Sequence, residues 1–533
     1  MQNITSSQLS RRSFVGASAA VMAAAAGLSF LGAPAQVKAA QEGTTFVYAI
    51  AGDPGSIVNP ITTSDRFGLM TLQAIYSKLV EVNSDGTVTY LIAESVDEAE
   101  DGVTYTIKLR DGIVWSDGEP LNADDVVFTI EAKREDPTAN GYSNFNFGDD
   151  GKAEVTKVDD LTVELVFPFH NAAALEALGG ELFIAPQHIY ADVADWENND
   201  VNTSPVCSGP YILEEYLPGQ YLRFKANDNY FIREPSIETI VYQIVTNETT
   251  GQTAIQSGEV NAWVGSPAQV EQMAIEANGL EVHPYSEGRV SYFCFNAKRV
   301  ADERVRKALF YTLDKDQIAL AGLLDPSYYE LAYTFLPPVN GFYAPDAVEK
   351  YEQDVDKAKE LLAEAGAEGI TLKMGFSSSD SLQQVAAVMV QEMAAAAGIN
   401  VELVGVDSTA LYNSQRDENN EYDMYFGGYI MGTDPSTYDS LFKSDAAWNY
   451  IHYDVNDYPE IDELFNQGSL ETDPEKRKEI YADLQAVIQD AAIFYPMYSN
   501  LRLLVTSATV GGFDEAKLVP IYTFQDLSGL TIG

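Results

Sequence analysis

Residue types that do chemistry are scattered in this sequence. The four histidines, His170, His188, His283 and His452, stand too far apart for any two to share metal-ligand spacing on one element. Each reads as an ordinary surface or core histidine, or as a lone ligand for a metal chelate brought in from solution. The acids Asp124 and Asp125 have the chemistry for proton transfer, but no partner stands beside them. They follow Asn122 at the start of a helical pattern, where negative charge suits the helix dipole. G-x-S-x-G, H-E-x-x-H, C-x-x-C, Walker and G-x-G-x-x-G motifs are absent. These absences argue against hydrolases of familiar type but not against every enzyme; the expectation is a protein that is not an enzyme, with neither cofactor nor resident metal.

What remains is recognition, and composition limits its partners. With 80 Asp and Glu against 32 Lys and Arg, the formal charge of −48 repels phosphate backbones and excludes nucleic acid as a natural partner. Such a surface suits a salty or extracellular setting, and it leaves room for an acidic mouth that attracts cations. The 533 residues exceed one core, since single cores stop growing near about 250–300 residues, so two or more lobes are expected. Near the start, Ser10-Arg11-Arg12-Ser13-Phe14 precedes an Ala-rich apolar run and small residues up to Ala40, the order of a twin-arginine export signal. Cleavage after Ala40 would leave Gln41 first. No cysteine precedes Cys207, so no lipid anchor is expected, and Cys207 with Cys294 allows one disulfide at most. An exported monomer in the periplasm or outside the cell follows.

Strand patterns appear at 45–50, 103–109, 161–167, 211–216, 221–226 and 240–245, and helical spacing at 67–82 and 123–133. From 303 onward helices at 305–313, 358–365, 382–397 and 475–490 alternate with strands at 372–376, 401–406 and 422–427. The fold class is therefore α/β. No flexible linker divides the chain, so it should cross between lobes on ordered strands, near 292–296 and 495–504.

One series of motifs carries a family resemblance. Leu91-Ile92-Ala93-Glu94-Ser95, Tyr105-Thr106-Ile107-Lys108-Leu109-Arg110-Asp111-Gly112, Trp115-Ser116-Asp117-Gly118-Glu119-Pro120-Leu121 and Ala123-Asp124-Asp125-Val126-Val127-Phe128 come first. Ser208-Gly209-Pro210-Tyr211, Gln256-Ser257-Gly258-Glu259-Val260, Phe295-Asn296, Val305-Arg306-Lys307-Ala308-Leu309, Ala397-Gly398-Ile399 and Tyr422-Asp423-Met424 follow in order. The sequence resembles the family 5 extracellular solute-binding proteins of ABC importers, the group with dipeptide-, oligopeptide- and nickel-binding members. The resemblance implies a two-lobed periplasmic-binding-protein clamp, type II, of the large cluster with an extra subdomain in the first lobe. Lobe 1 would take 41–291 and 500–533, with the insertion at about 60–205, and lobe 2 would take 292–499. The partners would be a small-molecule or peptide ligand and the permease subunits of an ABC importer with its ATPase. A secreted hydrolase of peptides or glycans, or a ligand sensor built on the same clamp, are the competing readings.

A clamp of this kind binds through aromatics and a few polar groups converging where the lobes meet. Trp263, Arg289, Tyr292, Tyr429, Met431 and Asp434 are the candidates, with Tyr142 and Phe145 in an Asn- and Gly-rich loop that closes over the ligand. Peptide-binding members resemble one another in an aspartate shortly after a Gly-aromatic pair, where it meets the ligand's α-amino group. Here Gly428-Tyr429 is followed by Ile430-Met431-Gly432-Thr433, and the next acid is Asp434, before Pro435. Asp434 either takes that role or supports the loop. Peptides, sugars, opines, metal chelates and capped peptides stay open as ligands.

Overall fold

The apolar run at 45–50 becomes the parallel centre of a sheet covered on both faces. Thr45–Ile50 lies between Thr239–Ile244 and Ala262–Gly265, parallel to both, and its last five residues are buried, as expected of a strand with no solvent face. The structure is a computed structural model and describes residues 44–533 apart from 56–57, 172, 274, 276–277 and 447–448. The export signal expected at 1–40 lies outside the described residues.

Tyr221–Ala226 and Tyr211–Leu217 extend this sheet antiparallel on one side. On the other side stands the long strand Phe494–Ser507, which ties two halves of the molecule together. Its C-terminal part pairs with Ala262–Gly265 and Leu280–Ser286, and its N-terminal part with Arg289–Phe295. Beyond Arg289–Phe295 come Met424–Ile430, Thr371–Ser377 and Asn400–Val406. Two short passages link the regions so paired, one at Glu287-Gly288 and one along 499–502. Gly288 takes φ +68° at the first passage, a conformation most side chains avoid. Buried Glu287 accepts Arg66 Nη2 at 2.8 Å and Arg502 Nη1 at 3.1 Å, so one carboxylate clasps both passages.

Each half has its own core. Phe46, Leu72, Trp115, Phe183 and Phe224 belong to the first, and Phe293, Phe310, Met374 and Tyr495 to the second. A separate antiparallel sheet orders Ala93–Glu98, Thr104–Leu109, Thr162–Val166 and Glu154–Asp159 within the first half. The helix expected at 123–133 spans Ala123–Glu135, with a capping box in which Asp125 accepts the Asn122 amide at 3.0 Å. Asp125 also accepts the Gln187 amide at 2.8 Å, so the acid pair is architectural. The helix expected at 67–82 ends at Ile75. Helical spacing continues, yet Val80–Val82 pairs with Val88–Tyr90, and tertiary pairing overrides local periodicity. Cys207 and Cys294 are free thiols buried in different cores.

Candidate ligand-binding site

A cavity of about 520 Å³ opens between the halves. The first half contributes turns and helix ends around 81–84, 140–144, 176–181 and 519–525, and the second contributes the loops 337–340 and 430–433. The halves touch at its rims. Thr433 Oγ1 donates to the Glu176 carboxylate across the gap, and the Gly341 amide donates to Ser84 O at 3.1 Å. Gly341 is needed there because a Cβ at that position would lie 2.4 Å from Asp85 O. The segment 519–525, which lines the cavity near the C-terminus, holds Ile521 and Thr523 at positive φ. Such backbone in β-branched residues is retained only where surrounding structure over-determines it.

The electrostatics of this cavity are one-sided. Its lining includes Glu81, Glu176, Glu181 and Glu287 and no Lys, Arg or His. Two of the four are neutralised from behind: Glu81 by Lys78 at 2.7 Å and Glu287 by its two arginines. Lys78 itself is buried, donates to Gly180 O and sits over the Tyr522 ring at 4.7 Å. Among the described residues, Glu176 and Glu181 form no ion pair; Glu181 accepts Asn140 Nδ2 at 2.6 Å. Burial pushes the Glu176 carboxyl above the usual range, only partly opposed by the hydrogen bonds from Thr433.

A second cavity, about 570 Å³, lies in the second half and shares Ile430 and Met431 with the first. Arg289, Tyr292, Tyr429 and Met431 line it, so the structure brings four of the sequence candidates together. The Tyr429 ring packs 5.2 Å from Tyr292 and 5.5 Å from Tyr438, and its hydroxyl donates to Phe335 O. The other candidates lie elsewhere. Trp263 pairs with Ala49 and Val505 on a sheet face that packs against the helix Glu248–Ser257, where its ring fills the space over Gly251 and Gly265. Phe145 is buried in the first core, and Tyr142 starts a short turn whose neighbours Gly141, Ser143 and Asn144 reach the cavity instead. Asp434 is held by Arg477 through two bonds of 2.7 Å and caps the turn Pro435–Tyr438 through Ser436. Its carboxylate therefore supports the loop from beneath.

Glu176, Glu181, Thr433 and Gly341 were not legible as site residues. One signal existed for Glu176, the single acid in the otherwise apolar stretch 173–180. Among the described residues no cluster of three His, Cys, Asp or Glu side chains is arranged to hold a metal ion, and no helix is long and apolar enough to cross a membrane.

Comparison with known proteins fits this geometry. The family model "Bacterial extracellular solute-binding proteins, family 5 Middle" matches residues 87–450. The oligopeptide-binding protein AppA of Bacillus subtilis is 28% identical, over 84% of this chain and 85% of its own. The dipeptide-binding protein of Escherichia coli is also 28% identical, over 84% and 87%. Among solved structures, the ABC transporter substrate-binding protein CtaP of Listeria monocytogenes superimposes with a TM-score of 0.85 at 33% identity, covering 92% of this chain and all of that one. A two-lobed α/β clamp with a cavity between its lobes, matched over most of its length, places the chain in the family 5 bacterial extracellular solute-binding proteins, the substrate-binding components of ABC importers.

Proposed function

We propose that this protein captures an amine-bearing solute, of about the size of a short peptide, in the cavity between its lobes and presents it to a membrane permease. The observation that carries the reading is the cavity lining, which among the described residues holds Glu176 and Glu181 without ion-pair partners and no basic side chain. A cation entering a site closed to water meets carboxylates less screened than in bulk solvent. About 520 Å³ lies within the range of small-molecule sites. The names of relatives that bind oligopeptides and dipeptides support a ligand of this kind.

The mechanism is differential binding. A solute that contacts both lobes only when they are together shifts the open and closed populations by its extra affinity for the closed form. No bond is broken, and the protein acts as a monomeric carrier and not as an enzyme. We divide the lobes at 287–288 and 499–502, supported by the strand pairing on either side. Export through a twin-arginine signal is supported by Arg11-Arg12 and Phe14.

The test is retention from a tryptic casein hydrolysate, read by native mass spectrometry on protein purified without denaturation. Solutes retained from the untreated hydrolysate and lost after acetylation of its amines are the expected result. Retention unchanged by acetylation would refute the amine assignment.

A further inference from the structure

A buried ammonium stands behind one of the two unpaired carboxylates of the cavity between the lobes. Lys133 lies near the end of the helix Ala123–Glu135 and is 1% exposed. Among the described residues it forms no ion pair, in a chain that holds 80 acids. Its Nζ donates instead to two backbone carbonyls, Asn140 O at 2.8 Å and Glu181 O at 3.3 Å. Both of these residues line the cavity. Their side chains meet as well, Asn140 Nδ2 donating to Glu181 Oε2 at 2.6 Å and to Thr63 O at 2.9 Å. Lys133, Asn140 and Glu181 therefore close a ring of hydrogen bonds, with a carboxylate in the cavity wall and an ammonium at the buried end.

A neutral donor would satisfy the two carbonyls, and burying an ammonium without a counter-charge is costly. Burial pushes the Lys133 ammonium down to about 8, and the Glu181 carboxylate opposes the fall. The other ionisable groups on this helix and on the elements packed against it are engaged elsewhere or face solvent. Arg134 pairs with Glu131 and Glu135, Lys157 with Asp124, and His188 with Asp117. Asp125 caps the helix and Tyr190 donates to Asn202. Glu154, Asp159 and Glu164 are exposed, and Tyr142 is half-buried in its short turn. Glu181 is thus the charged group that acts on Lys133.

We propose that Lys133 is a positioning residue for the solute's amine: it fixes Glu181 and Asn140 in the cavity wall, and a cation taken up beside Glu181 expels its proton. The inference rests on the amine reading above and deepens it. With Lys133 charged, the ring carries no net charge and attracts a cation weakly. With Lys133 neutral, the charge of Glu181 is uncompensated. Uptake of the cation and loss of the proton therefore favour each other by the same factor. The proton passes from Nζ to the buffer, and no other bond changes. Capture of a cationic solute strengthens as pH rises through the Lys133 value.

Two measurements test this. In the first, titration calorimetry of a retained hydrolysate solute at pH 8 is repeated in buffers of different ionisation enthalpy, which counts the protons released on binding. Wild-type protein should release up to about half a proton more than Lys133→Met, since titration of the solute's own amine cancels between the two. The ratio of wild-type to Lys133→Met affinity should rise about 3- to 10-fold between about pH 7 and 9. Lys133→Arg, whose charge does not titrate, should give the same baseline if Lys133→Met proves unstable. Equal proton release and a ratio flat with pH, with acetylated solutes still rejected, would overturn the role of Lys133 and leave the amine reading standing.

The second measurement needs no solute. The Cε signal of Lys133, identified by its loss in Lys133→Met or Lys133→Arg, is followed by NMR from about pH 6 to 11. It should titrate near pH 8, and at lower pH in Glu181→Gln, which removes the charge and keeps the size of the side chain. Titration at the ordinary lysine value of about 10.4, or a midpoint unmoved by Glu181→Gln, overturns the proposal even if the hydrolysate yields no retained solute.

Discussion

Replacing Gly341 by alanine should weaken ligand binding while leaving the ligand-free fold intact. The Gly341 amide bonds to Ser84 O across the cleft, and an added Cβ would lie 2.4 Å from Asp85 O and 2.8 Å from its carbonyl carbon. Ordinary contact begins at 3.4 Å, so the two backbones must part by about 1 Å. Overpacking of this degree costs about 1–3 kcal/mol, and the broken hydrogen bond adds about 0.5–1.5 kcal/mol. A closed form less stable by about 2–3 kcal/mol corresponds to roughly 30- to 150-fold weaker affinity. Opening at the passages relieves the clash, so the melting temperature without ligand should stay near that of the wild type. Titration calorimetry with a retained hydrolysate solute, melting curves with and without it, and the radius of gyration of the loaded protein are the assays. The obstacle is the Asp85 backbone, so Asp85→Ala should not rescue the variant. Wild-type affinity, or an equal fall in melting temperature with and without ligand, would refute the reasoning.

Asp434→Asn should destabilise the protein by about 3 kcal/mol, since it leaves buried Arg477 without its carboxylate; relative preference among solutes should not change, and melting curves beside competition binding separate the two effects. Tyr429→Ala should weaken binding by about 2 kcal/mol, roughly 30-fold, as a cavity-lining aromatic is lost, whereas Tyr429→Phe, which forfeits only the bond to Phe335 O, should lose less than tenfold. The raised Glu176 carboxyl gives a pH dependence of definite sign. Its folded form holds the proton more tightly than the unfolded chain, so its contribution to stability is present at low pH and is lost as pH rises through its folded value. A cationic solute needs the ionised carboxylate, so affinity should rise with pH over the same interval. Glu176→Gln should flatten that binding profile, and calorimetry across the interval checks it.

Much of the scaffold was legible because its signals are local. The apolar strand pattern at 45–50 and the helix start after Asn122 each depend on neighbours a few residues away, and both formed as expected. The motifs from Leu91 to Met424 were likewise enough to expect a two-lobed clamp, whereas the strand expected at 422–427 runs from Met424 to Ile430 and so carries Tyr429 within it. Periodicity failed at 76–82, where a short strand pairing in the first half stopped a helix that local spacing would have continued.

The site depended on distances that no local pattern encodes. Glu176 and Thr433 are 257 residues apart and meet only because the long strand Phe494–Ser507 holds two sheets in one register. Trp263 and Tyr292 are both aromatic residues on strands beside it, and only the face each presents decided that one packs under a helix while the other lines a cavity. Asp434 and Glu176 are both acids withdrawn from solvent at the lobe interface; Arg477 beneath the loop pairs with the first, whereas the second forms no ion pair among the described residues. Residue types and spacing thus determined the lobes and the class of protein. Which carboxylates remained unpaired was decided by tertiary packing, because pairing of buried charge is set by what the fold brings within a few ångströms.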